Sequence, residues 1–252
     1  MADLKGQTLV IPPVQRQVST WKATRHPHPL HEHLKTDIID PILSELITHP
    51  RALQKAIESD IARLVCGLCP SITAWAHAPK LRTVAEFLVW IVLWDDGIDS
   101  PGEGGEFDAE EYVRRSKEYV RWCLLRQHER LNAVREEAAV EPPTKVCELM
   151  ERVGCGLMDQ HGWVEAERNR LWEGLGRYMD ACLVEYKVRV SRSDEVPTID
   201  EFWKWRTGTS GVEAFCVMGR VMTAGCWLPD EFVEKSEELR YMGACVNRAF
   251  VM

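Results

Sequence analysis

No run of apolar residues in this chain approaches the ~20 needed to cross a bilayer. The longest, Phe87 to Trp94, has eight. Basic charge is also scarce: 31 Lys and Arg stand against 39 Asp and Glu, a net charge of −8. A general nucleic-acid or anionic-membrane binder needs the opposite balance, so neither is an expected partner. The N-terminus, MADLKGQTLVIPPVQRQ, lacks the basic region, apolar stretch and small-residue cleavage site of a signal peptide. Paired cysteine motifs are nearly missing as well. Nine cysteines are scattered along the chain, and Cys66 and Cys69 form the single CxxC. With no second ligand pair at matching spacing and no strand–helix setting, they read as thiols of a reducing cytosol rather than a zinc or redox site. The expected location is therefore cytoplasmic.

Stretches alternating with period two are few, and no repeat recurs at a fixed spacing. What the chain of 252 residues does contain is helical text, with 45% apolar and 28% charged residues, the balance of a globular protein. Residues 1–36, which hold four of the thirteen prolines and four of the eight histidines, read as an N-terminal arm. In HPHPLHEH, His31 and His33 would diverge on a helix, which argues against a metal site there. Residues 37–252 read as one all-α domain. Helices are expected over Asp37–Thr48, Arg51–Leu68, Lys80–Ile98, Asp108 to about Ala138, 144–157, 163–192, 199–224 and from Asp230 onward.

The most informative segment is AEFLVWIVLWDDGIDS, residues 85–100. Eight consecutive apolar residues, three of them aromatic, make a helix enclosed by protein on most sides. Asp95, Asp96 and Asp99 follow at once. Asp95 and Asp99, four apart, share a face, and the same stripe runs back through Ile91 and Leu88. Carboxylates at a helix C-terminus meet the negative end of the dipole, typically a penalty of about 0.3–1 kcal/mol each. A cation should compensate, and hard oxygen ligands on one face suit Mg²⁺. The bland alternative is a solvated helix end running into a Gly-rich loop.

WDDGID resembles the first metal motif of class I terpene synthases, and the form LWDDxID is similar to the fungal sesquiterpene cyclase branch. A longer match is YMDACLVEYKVRVSRSDEVPTIDEFWKWRTGTSGVEAF, residues 178–215. It resembles the paired helices that carry the diphosphate-sensing arginine. The resemblance implies an antiparallel bundle of the class I terpenoid synthase type around a cavity with Asp95 and Arg206 at its mouth. It implies Asp95 as principal Mg²⁺ ligand (Mn²⁺ being a substitute), with Asp96 and Asp99 beside it. Gly97 stands where a larger residue is common. Arg206 becomes the diphosphate sensor, and Thr209, Ser210 and Gly211 the helix break that couples diphosphate binding to ionisation. The substrate would be a prenyl diphosphate, farnesyl diphosphate by branch, ionised and cyclised to a sesquiterpene. Phe87, Leu88 and Ile91 are candidate pocket residues, and Trp75, Trp90, Trp94 and Phe215 further candidate aromatics. A homodimer is compatible with the sequence.

Residue chemistry agrees with these roles. Arginine's planar fork grips two phosphate oxygens. Thr198 precedes Asp200 and Glu201 as a helix cap would. Gly208 and Gly211 flank Thr209 and Ser210 in a helical pattern, where each glycine costs about 1 kcal/mol relative to alanine.

The family's second metal motif, Asn, Ser and Glu at successive four-residue steps, is not found: Asn132, Asn169 and Asn247 all lack the partners. LRYMGACVNRAFVM resembles the run leading into that motif, and the later Arg-Tyr pair is also missing. The expectation is a bundle lacking its last helices, with weak or no cyclase activity. The alternative is a non-catalytic helical binding protein derived from a cyclase.

Overall fold

The computed structural model describes residues 29–68, 78–99, 107–126, 140–191 and 198–218, apart from 212 and 216. All regular structure among them is helical. The elements used below are α1 (Asp40–Leu46), α2 (Pro50–Glu58), α3 (Ile61–Leu68), α4 (Ala78–Asp99), α5 (Ala109–Arg121), α6 (Leu149–Cys155), α7 (Glu165–Ser191) and α8 (Ile199–Thr209). Wider, π-type winding leads into α1 over Leu34–Ile39 and extends α5 over Trp122–Arg126 and α6 over Gly156–Gln160.

The eight-residue apolar run builds the centre. In α4, Phe87, Val89, Trp90, Trp94 and Ile98 are fully buried, and the helix packs against α1, α3, α6 and α7. Burying side chains of this size supplies roughly 1.5–3 kcal/mol each. The single polar atom of Trp94 is satisfied: Nε1 donates to Ser116 Oγ at 2.9 Å. Tyr112 stacks on the same indole, ring centroids 5.6 Å apart.

Cross-helix pairs fix the directions. Trp94 meets Ser116 while the Cβ position of Gly97 faces Tyr112, so α4 and α5 are antiparallel. Lys117 pairs with Asp180 and Lys187 with Glu110, so α5 and α7 are antiparallel as well. Asp95 meets Tyr178 and Cys182 while Asp99 meets Arg189, so α4 and α7 run parallel. Helix α8 returns antiparallel on α7, with Arg206 beside Glu185 and Gly208 against Ala181. That crossing is close: a Cβ at Gly208 would stand 2.5 Å from the Ala181 Cβ.

Three boundaries differ from the sequence reading. Helical winding begins at His31, inside the stretch read as an arm, because Leu34, Ile38 and Ile39 are buried in the core. His31 and His33 do diverge: His31 Nε2 bonds the Asp60 carboxylate at 2.9 Å and His33 Nδ1 bonds Asp37 at 2.7 Å. The helix expected over 51–68 is two helices, α2 and α3. Asp60 turns the chain between them with φ +53°, a conformation that Asp tolerates better than most residues. The helix expected over 199–224 is interrupted: it stops at Thr209, Gly211 follows at φ +64°, and helical winding resumes at Glu213. Most of the long helix expected beyond Arg126, the site of Trp75 and the stretch from Asp230 onward lie outside the described residues.

Candidate functional site

Helix α4 ends on its acidic residues. Asp95 and Asp99 occupy its last turns, and each is met by donors from α7. Tyr178 donates its hydroxyl to Asp95 Oδ1 at 3.0 Å, and the Cys182 thiol reaches the same oxygen at 3.5 Å. Arg189 Nη1 donates to Asp99 Oδ1 at 2.8 Å, and Nη2 to the Asp99 carbonyl oxygen at 3.3 Å. A guanidinium on the last carbonyl of a helix is the charge its C-terminus favours. Tyr178, Cys182, Glu185 and Arg189 follow one another at three- to four-residue steps, so one stripe of α7 faces the acid end of α4.

The electrostatics of Asp95 follow from this placement. Burial pushes its carboxyl above the usual aspartate range, and the charges of Asp99 and Glu185 push the same way. The Tyr178 and Cys182 hydrogen bonds pull back only in part. Tyr178 and Cys182 are themselves held neutral, chiefly by burial. A half-buried carboxylate facing two further acids is short of positive charge, which is the deficit a divalent cation removes.

Helix α8 begins on a capping box. Thr198 Oγ1 accepts from the Glu201 amide, and the Glu201 carboxylate accepts from the Thr198 amide. The helix carries Arg206 to α7, where Nη1 lies 3.9 Å from Glu185 Oε2 and donates to Thr209 Oγ1 at 3.3 Å. Glu185 therefore stands between the two ends of the site: its charge acts on Asp95, and it is the carboxylate beside Arg206. The break after α8 returns to the aspartates. A Cβ at Gly211 would stand 3.2 Å from Ile91, 3.3 Å from Phe215 and 3.6 Å from Tyr178, the residue that bonds Asp95.

Of the residues singled out in the sequence, the structure thus brings Asp95, Asp99, Ile91 and Gly211 to one place, with Arg206 and Thr209 joined to it through Glu185. Asp96 is exposed on another side of α4, and Ser210 is half-buried at the C-terminal end of α8. Phe87 and Leu88 lie in the core, Phe87 edge-on to Phe215 with ring centroids 5.8 Å apart. Phe87, Trp90 and Trp94 have 0% exposure, so water touches none of them in this conformation. Among the described residues no three His, Cys, Asp or Glu side chains converge closely enough to enclose a metal ion. The donor set nevertheless suits a hard cation: Asp95 Oδ1 is oriented by its two donors, and three acids, Asp95, Asp99 and Glu185, meet only two arginines, Arg189 and Arg206.

Tyr178, Cys182, Glu185 and Arg189 all lie in the segment matched in the sequence, where none of them was given a role of its own. Their spacing along α7 was a usable signal, since Tyr178, Cys182, Glu185 and Arg189 fall on one helical stripe.

A family model described as terpene synthase family 2, C-terminal metal binding, matches residues 86–252, a span that takes in the aspartates, α7 and Arg206. No curated protein matches the chain. No helix among the described residues is long and apolar enough to cross a membrane.

Proposed function

We propose, from the premise that the chain belongs to terpene synthase family 2 by its C-terminal metal-binding region, that it acts on farnesyl diphosphate with Mg²⁺ in a sesquiterpene-forming reaction. The observation that carries the reading is the oriented, half-buried Asp95 carboxylate, tied through Tyr178 to the Gly211 break.

In this reading Asp95 and Asp99 hold the cation, with Asp96 nearby. Bound Mg²⁺ would neutralise charge on the departing diphosphate. The protein's own part is positioning. Tyr178 and Cys182 fix one oxygen of Asp95, leaving the carboxylate pre-oriented rather than free to rotate. Arg206, planar and permanently charged, exchanges the Glu185 carboxylate for diphosphate oxygens. Thr209, Ser210 and Gly211 carry that exchange back to Ile91 and Tyr178. Phe87, Leu88 and Ile91 are packed shut in this conformation; in this reading they become the apolar and aromatic wall once substrate enters, excluding water from a carbocation, where a desolvated cation–π contact is worth roughly 2 kcal/mol.

Calorimetric titration with non-ionisable thio-diphosphate analogues of ten, fifteen and twenty carbons tests this. Saturable binding in Mg²⁺ that disappears with chelator, tightest for fifteen carbons, is the expected result. Binding indifferent to chelator contradicts the reading.

A second reading, a non-catalytic helical binding protein, draws on one observation: the Asp99 carboxylate is already paired with Arg189. It predicts no Mg²⁺-dependent binding in the same titration.

A further inference from the structure

Asp99 already carries a cation, and that cation is the chain's own. Arg189 spans the Asp99 carboxylate and its carbonyl oxygen. The guanidinium also lies over the Tyr186 ring, 5.7 Å from its centroid. Both members of the pair are nearly half exposed, 44% and 47%. A second positive charge cannot share that carboxylate without repelling the first.

We propose, resting on the metal-site reading above, that Arg189 is a latch: it competes with the divalent cation for Asp99, and lets go when a pyrophosphate group draws its guanidinium away. The same bonds explain why it holds and why it opens. Two hydrogen bonds from one planar group set its geometry. Solvent exposure keeps the pair weak, because exposed ion pairs are screened and hold mobile side chains at an entropic cost. Pyrophosphate offers the fork what a carboxylate offers, two oxygens at matching spacing, with more charge. Arg189 sits one turn from Glu185 on α7, and Glu185 in turn holds Arg206 at 3.9 Å. Both arginines of the site are thus parked on acids that face Asp95 or follow it.

Linkage makes the effect reciprocal. An anion that takes Arg189 must tighten metal binding, and a metal that takes Asp99 must tighten anion binding by the same factor. Arg189 is a positioning residue in this account, acting through Asp99.

The test is Mn²⁺ binding to the full chain, followed by the electron paramagnetic resonance signal of free Mn²⁺, with and without inorganic pyrophosphate. A protein-free blank corrects for the Mn²⁺–pyrophosphate complex. Arg189→Met should bind Mn²⁺ alone about 3- to 10-fold more tightly than wild type, the effect of removing one competing charge at an exposed site. Its gain on adding pyrophosphate should shrink by a similar factor. Arg189→Lys should fall between, since an ammonium keeps the charge but cannot span both oxygens. If Arg189→Met binds Mn²⁺ no more tightly than wild type while Asp95→Asn binds it more weakly, the latch is wrong and the metal site stands. If wild type and Asp95→Asn bind Mn²⁺ equally, the metal-site reading fails and the latch with it.

Discussion

Tyr178 and Asp95 share a 3.0 Å hydrogen bond between two helices that run in the same direction. The phenol is buried and held neutral, and the carboxylate it meets is half-buried. Tyr178→Phe removes the donor but keeps the ring against Gly211 and Trp94. Because Asp95 is half-buried and Oδ1 keeps the Cys182 thiol, the loss should be that of one net hydrogen bond, about 0.5–1.5 kcal/mol. Urea unfolding should show that loss with an unchanged m-value.

Gly211 and Gly162 both have positive φ, +64° and +63°. They differ in what surrounds them: nothing lies within 4 Å of a Cβ at Gly162, whereas Ile91 and Phe215 crowd one at Gly211. Gly162→Ala should therefore cost only the left-handed backbone penalty, about 1–2 kcal/mol. Gly211→Ala should cost more, by about 1 kcal/mol for overpacking. Equal losses in thermal or urea unfolding would mean that the break does not press on Ile91.

How much of this was open to a sequence reading depends on the range of the interaction. The central helix announced itself through an uninterrupted apolar run, and Asp95 and Asp99 share a face because four residues make about one turn. The Thr198 cap was local and legible for the same reason. The donors to the aspartates were not. Tyr178 lies 83 residues from Asp95, and Arg189 lies 90 from Asp99; only the register of α4 on α7 joins them. The break at Asp60 was hidden likewise, its carboxylate being held by His31, 29 residues upstream. The early start at His31 was masked by a Pro- and His-rich composition, which outweighed Leu34, four residues before Ile38 of the expected helix.

Glu86 gives a pH dependence away from the site. Its side chain is 5% exposed, and burial raises its pKa despite the bond from Arg82 Nε at 3.0 Å. The folded chain therefore holds this proton more tightly than the unfolded chain. Stability is fullest at low pH and falls as pH rises from the ordinary glutamate value, 4.5, through the raised folded value. Glu86→Gln removes the buried charge. Its Tm should exceed wild type at pH 7 and converge with it near pH 4, each kcal/mol counting for roughly 2–4 °C. A lower Tm at pH 7 would mean that the Arg82 pair outweighs desolvation.

The proposed function requires Asp95 to hold a cation that in turn holds diphosphate. The most direct measurement is the affinity of the fifteen-carbon thio-diphosphate analogue in saturating Mg²⁺, compared between wild type and Asp95→Ala with folding verified by circular dichroism. Loss of a metal ligand should weaken binding by at least about tenfold, or 1.4 kcal/mol. Equal affinity in the two proteins would contradict the assignment of Asp95 and the function built on it.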